Sequence, residues 1–503
     1  MTTNVELGPE PDNSFVAPGP GSWQRLADHF PDAVTAEYQL LWAETAPPAM
    51  AAMFERYGVL AAGVDAAYIN GHLYIAPIPL VGPREMKRTP PNALVWMLSR
   101  AHPAFRKRTK QARLALEARP WRAVARHWFE VERFEWQQSN NALQSLDLTA
   151  MTPSELRSHL ADCRQHIVRG YSRHFALHGD DLLPVGLLIV RCSEWGIEPA
   201  AALRALDGAG IGDTNSDADE TPAWQLVTGY DLDAHSWVEL KGHRSRTART
   251  TPVPADLSSL VPQDQRAELR ALVDDARTAA RFRDDNGLLT GAWPMGLLRR
   301  AMLEAGRRLR FEDPTLAIEM TVAELVTALE QPDQLDVQLI MRRRNLRRRH
   351  SALDAPLMLG PSFPIPTLSA LPRPLALIGA AQLAAAEHMT GIGDGPVGIG
   401  TISFTGRALV VEDPLTAFDL FEPDDIVVTR FTSPSWNALL MHAGALVTTT
   451  GGLASHAATI ARELGLPAVI GDATAVARFR TGDRVTVNPG AATVVHAETP
   501  RSR

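Results

Sequence analysis

Cysteine and lysine are the scarce residues of this chain: Cys163 and Cys192 are its only thiols, and Lys87, Lys107, Lys110 and Lys241 its only lysines. Two cysteines at this spacing form neither a disulfide framework nor a zinc or redox signature, so a reducing compartment is expected. Arginine supplies nearly all the positive charge, and the formal net charge of -7 argues against a general nucleic-acid binder. Long apolar runs are missing too. Nothing approaches the roughly 20 residues that span a bilayer, and "MTTNVELGPEPDNSFVAPGPGSW" has no basic segment followed by an apolar one. The chain is therefore expected to be cytoplasmic, with no membrane and no nucleic-acid partner.

What is present is ordinary globular material, 45% apolar and 21% charged over 503 residues, enough for two to four domains. Residues 1–22 read as a flexible tail. From Trp23 to about Leu353 the apolar residues recur at three- and four-residue intervals, as in "TPSELRSHLADCRQHIVRGYSRHFALHG", which predicts a mainly helical domain. Thr152-Pro153-Ser154-Glu155 marks a helix start and Gly179 a stop. "AYINGHLYIAPIPL" predicts a hairpin turning at Asn70-Gly71, and "DGAGIGDTNSDADETPAW" a surface loop. The stretch 354–389 carries Pro356, Pro361, Pro364, Pro366, Pro372 and Pro374 and reads as an extended, semi-rigid hinge. Beyond it, over 390–499, short β-branched runs surround one clear helix. The expected fold class is multidomain α + α/β: a helical domain with a small β element, then a compact α/β domain.

In that last domain "GALVTTT" reads as a strand, Gly451-Gly452 breaks it, and Ala457, Ile460, Ala461 and Leu464 form a helical stripe ended by Gly465 and Pro467. His456 thus opens a helix, where free backbone N–H groups and the helix dipole favour an anion. The same field disfavours imidazolium and keeps the ring a neutral nucleophile. Such a histidine can take up a phosphoryl group, with the hydroxyls of Ser455 and Thr450 and the backbone of Gly451 and Gly452 around it.

The run "TTTGGLASHAATIARELGLPAVIG", with upstream "DDIVVTRFTSPSW" and downstream "GDRVTVNPGAATVV", resembles the swivelling phosphohistidine domain of phosphoenolpyruvate-utilising enzymes. Ala454 stands where many members have threonine, which leaves that contact to backbone. "GSWQRLADHFPDAVTAEYQLLW", "INGHLYIAP", "GYDLDAHSWVEL" and "FEDPTLAIEMTVAELVTALEQPDQ" are similar, in the same order, to the acceptor-binding domain of the rifampicin phosphotransferase group. In that group an ATP-grasp domain comes first, and the histidine domain swings between two sites. Here neither that domain nor a phosphoenolpyruvate-binding barrel is recognisable. The resemblance therefore implies that ATP and Mg²⁺ are bound by a separate ATP-grasp subunit. It further implies that His456 carries a phosphoryl group to a hydroxyl acceptor, a small phenol or alcohol, leaving AMP and phosphate. The alternatives are a phosphoenolpyruvate-dependent phosphocarrier and a non-catalytic binding or regulatory module on the same fold.

Lesser signals have plainer readings beside their chemical ones. His174 and His178, one helical turn apart near His166 and Tyr171, are candidates for a base at the acceptor, His174 first, with Asp180 and Asp181 behind them; packing within the helices is the competing reading. No third ligand accompanies the histidine pair, so no metal is expected. Arg462 suits either phosphate or a salt bridge. Gly393, Gly395 and Gly398 have dinucleotide-loop spacing, but Pro396 and a strand follow where a helix is required. The arginines from Arg342 to Arg349 read as a solvated or partner-docking face.

Overall fold

The computed structural model describes residues 13–27, 29–85, 90–206, 227, 229–236, 239, 255–361, 367–390, 395–412, 414–432, 436–453 and 455–497. The predicted loop at 207–224 lies outside them, as do Gly393, Pro364, Pro366 and Ala454.

The N-terminal part is helical around a small antiparallel sheet. Strands β1 (Trp23–Arg25), β2 (Ala61–Ile69), β3 (His72–Pro79) and β4 (Met358–Leu359) run in the order β2-β3-β1-β4. The hairpin turns where predicted: Asn70 and Gly71 both take positive φ, 48° and 75°, which the right-handed twist of a two-residue hairpin requires. Helices Ala36–Tyr57, Pro153–Ala176 and Trp293–Arg308 bury Tyr38, Leu41, Leu156, Leu160, Leu298 and Met302 in one core. A second core lies around helix His178–Glu194. The Thr152 start forms a full capping box with Glu155.

Four expectations are corrected. Gly179 stops nothing: the helical run breaks at Leu177, and Gly179 sits in the first turn of helix His178–Glu194. A Cβ there would lie 2.4 Å from the Tyr57 ring, so packing, not chain termination, explains this glycine. The tail is not loose over residues 13–22, where Phe15 and Ala17 pack onto Trp23, Tyr74 and Leu359. The hinge is not extended throughout. Met358 and Leu359 are held to β1, and Arg373–Thr390 is a helix. Pro374 falls in its first turn, where the missing N–H costs nothing, and the alanine-rich run behind it propagates. That helix lies so close to His178–Glu194 that a Cβ on Gly186 would meet the Ala381 carbonyl at 2.0 Å. Lastly, the arginine cluster is largely neutralised within the domain: Arg343 pairs with Glu324 at 2.8 Å, Arg344 with Asp313 at 2.7 Å, and Arg347 with both Glu319 and Asp233.

The C-terminal part is a seven-stranded sheet, β5 (Val397–Ile399), β6 (Phe404–Val410), β7 (Ile426–Thr429), β8 (Ala445–Thr448), β9 (Ala468–Ile470), β10 (Arg484–Asn488) and β11 (Thr493–His496). Its order is β11-β10-β6-β7-β8-β9-β5, with β6 to β9 parallel and the outer strands antiparallel. β7, β8 and β9 are buried throughout, as a parallel sheet covered on both faces requires. Among the described residues helix His456–Leu464 is one of four short helices in this part, where the sequence had shown one. Among the described residues no helix is long and apolar enough to cross a membrane.

Candidate active site

Loops leaving the carboxyl ends of β7 and β8 carry the candidate residues, the position at which open parallel sheets present their ligands. Thr450 donates both its N–H and its hydroxyl to the Arg430 carbonyl, 3.0 Å each, which ties the two loops together. That hydroxyl is therefore engaged by backbone rather than open to phosphate. Gly451 has φ 103°, and a Cβ there would lie 3.0 Å from Ser455 Oγ. Only glycine folds the chain back this tightly. Ser455 donates its N–H to the Gly452 carbonyl at 3.0 Å and caps the helix, its Oγ accepting from Ala458 N–H at 3.3 Å. A capping hydroxyl accepts, so its own proton remains to be donated.

His456 opens the helix. Its Nδ1 lies 2.9 Å from Thr432 Oγ1, on the loop after β7. With Nδ1–H donating to that oxygen, Nε2 keeps its lone pair. Burial, and then the charges of Arg283 and His29, push the imidazole down to about 3, so it is neutral across the physiological range. Arg462 donates to the Leu453 carbonyl at 2.6 Å and braces the loop before the histidine.

The groups that reach His456 electrostatically belong to the helical part. His29 sits exposed on the loop after β1, its ring 4.8 Å from that of Tyr230. His174 closes helix Pro153–Ala176 and His178 opens the next, with ring centroids 4.6 Å apart across the break. Burial first, then His178 and His29, hold His174 well below the usual histidine range. Arg283 and His29 thus act on His456 across the contact of the two parts, and His29, His174 and His178 act on one another. The contact is direct: Arg283 donates to Thr459 Oγ1 at 3.4 Å, and Leu453 packs on the cores of both parts. A pocket lined by Val185, Leu203, Arg283, Thr459 and Arg462 opens at the same junction.

Other candidates have structural partners. Tyr171 donates its hydroxyl to the Tyr230 carbonyl at 3.3 Å, and burial raises it above the usual tyrosine range. His166 lies 2.7 Å from Asn140 Oδ1 and 3.0 Å from an Arg169 nitrogen. Asp180 accepts from the Tyr57 hydroxyl and from Arg56, and burial lifts it to about 6. Asp181 is different: fully buried, it places Oδ2 3.3 Å from His178 Nδ1 while its Oδ1 has no hydrogen-bond partner. Among the described residues no group of three or more His, Cys, Asp or Glu could hold a metal ion. Sequence reasoning missed Thr432, His29 and Arg283. Thr432 lay within the quoted "RFTSPSW", but nothing local tied it to a histidine 24 positions on.

Residues 421–491 match the family model of the PEP-utilising enzyme mobile domain, so the chain contains that domain. The chain is 36% identical over 168 residues to an uncharacterised phosphotransferase, YvkC, of Bacillus subtilis, a match covering 33% of this chain and 19% of the relative. Rifampicin phosphotransferase of Streptomyces sviceus is 39% identical over 160 residues, 31% of this chain and 16% of the relative. Phosphoenolpyruvate synthase of Aquifex aeolicus is 42% identical over 92 residues, 18% of this chain and 11% of the relative. The matched stretches thus span less than a fifth of those relatives.

Proposed function

We propose that this chain is a phosphotransferase unit: His456 Nε2 takes a phosphoryl group from ATP and passes it to a hydroxyl of a small phenol or alcohol held by the helical part. The observation that carries this reading is the imidazole itself, neutral, held through Nδ1 by Thr432 and turned toward residues of the other part. The phosphotransferases and phosphoenolpyruvate synthase among its relatives support it.

Nucleotide and Mg²⁺ are bound by a separate ATP-grasp subunit. Nε2 attacks the β-phosphorus and displaces AMP, water then removes the γ-phosphate as inorganic phosphate, and the phosphoryl group left on Nε2 passes to the acceptor, so that ATP, water and the acceptor give AMP, phosphate and a phosphomonoester. Nδ1 keeps its proton throughout by donating to Thr432, so on transfer Nε2 leaves as a neutral imidazole and not as an unstable anion. The arrangement described above corresponds to delivery, with His456 facing the acceptor side and shielded from competing water. Charging requires the C-terminal part to move away. Arg373–Thr390, packed against its neighbour, stays with the helical part in that movement.

The test is incubation with ATP labelled on the β-phosphate, Mg²⁺ and an ATP-grasp partner. Acid-labile label on His456 that requires the partner is the expected result. Label from phosphoenolpyruvate alone would establish the phosphocarrier instead, and no label from either donor a binding or regulatory module.

A further inference from the structure

We propose that His178, oriented by Asp181, is the general base that removes the proton of the acceptor hydroxyl as it attacks the phosphoryl group on His456. This rests on the phosphotransfer reading above and assigns a second residue to it.

The geometry selects His178 over its neighbour. Asp181 places a carboxylate oxygen 3.3 Å from His178 Nδ1. A carboxylate at Nδ1 fixes the tautomer with the proton on that nitrogen and leaves the Nε2 lone pair to accept another. Asp181 is itself fully buried, and its second oxygen has no hydrogen-bond partner. A structural aspartate would have both oxygens engaged; Asp180, one residue earlier, serves Tyr57 and Arg56 with its two. The His178 side chain keeps 25% of its surface accessible, so a small molecule can reach it. His174 has no carboxylate. Its Nδ1 is buried with no partner, and its ring is packed edge-on against Phe175 and His178. Burial disfavours a proton there, and the hydrogen bond with Asn286 offsets little of that cost.

Position fits as well. Arg283 reaches Thr459, three residues beyond His456 on its helix, at 3.4 Å, and one turn beyond Arg283 a Cβ on Gly287 would lie 3.9 Å from His174, whose ring is 4.6 Å from that of His178, so base and phosphoryl donor border the same stretch of chain. The surroundings of the base are aromatic: Phe175 packs against His178, and Tyr230 against His29. A flat, weakly acidic hydroxyl compound, a phenol, is the class such surroundings hold.

In the step itself the acceptor O–H proton moves to His178 Nε2, and the oxygen forms a bond to phosphorus. The bond from phosphorus to His456 Nε2 breaks, its electron pair returning to the imidazole. The new His178 imidazolium is neutralised by Asp181. Nothing is oxidised or reduced, and a solvent base later takes the proton away.

The test avoids the nucleotide partner by charging His456 with phosphoramidate and following discharge to phenol and to 4-nitrophenol, with His456→Ala as the blank. At about pH 8.5 phenol is still protonated and needs a base, whereas 4-nitrophenol is almost wholly ionised and needs none. In His178→Gln, discharge to phenol should fall about a hundredfold or more, while discharge to 4-nitrophenol and the extent of charging stay within a few-fold of wild type. Asp181→Asn should show the same selectivity with a smaller loss. Equal losses with both acceptors, or none with either, overturn the base assignment but leave phosphotransfer standing. A wild-type chain that takes the label on His456 yet discharges to neither compound overturns both.

Discussion

Everything that orients His456 lies between Thr429 and Leu464, on loops leaving two adjacent parallel strands. The groups that act on it from the other part come from a loop at residue 29 and from a helix at residue 283. The first half is local and rigid, fixed by backbone hydrogen bonds, a glycine with positive φ and a cap. The second exists only because distant segments pack together and the two parts dock. A local half should fail in charging, before any acceptor is involved; an assembled half should fail in transfer or in docking. Separate assays of charging and transfer therefore break the site along this line.

The largest effect belongs to His456→Ala, which should abolish acid-labile label while leaving thermal stability close to wild type. Residual label at full yield would place the nucleophile elsewhere. Next comes Gly451→Ala. Backbone strain of about 1–3 kcal/mol, added to a Cβ set 3.0 Å from Ser455 Oγ, should slow charging tenfold or more, read by single-turnover labelling. Thr432→Val removes one hydrogen bond, about 1 kcal/mol, and should slow charging roughly fivefold; an unchanged rate would show that Thr432 does not hold the ring.

The smallest effect concerns docking. Docking brings Arg283 and His29 to His456, and burial first, then these groups, push its imidazole from an ordinary 6.5 down to about 3. Between about pH 3 and 6.5 the separated or unfolded forms thus bind more protons than the docked one. The docked form loses stability as the pH falls through that window and keeps it above. Small-angle scattering should show a larger radius of gyration at pH 5 than at pH 7.5; a radius indifferent to pH would contradict this coupling of docking to His456.

The same division explains what could be read from the sequence. β7, β8, β9 and the His456 helix appear as short apolar runs punctuated by Gly451, Gly465 and Pro467, because a buried parallel strand and its following helix are written in consecutive residues. The placement of His456 at a capped helix N-terminus was legible for that reason. His29 and Arg283 were not, since no periodicity marks a residue whose role arises from docking. Prolines misled where position outweighs composition: Pro372 and Pro374 belong to a helix start, and the alanines after them outvote the hinge. Thr450 was recognised as a phosphate contact and Gly179 as a helix stop; in the fold the Arg430 carbonyl takes the Thr450 hydroxyl, and the Tyr57 ring packs on Gly179.

The measurement that tests the central claim most directly is NMR of the charged chain carrying ¹⁵N-histidine, observed through ³¹P and through the ring nitrogens. One phosphorylated histidine is predicted, His456, with phosphorus bonded to Nε2 and the proton retained on Nδ1. Phosphorus on Nδ1, or on a different histidine, would contradict the account, because the contact with Thr432 leaves Nε2 alone free to react.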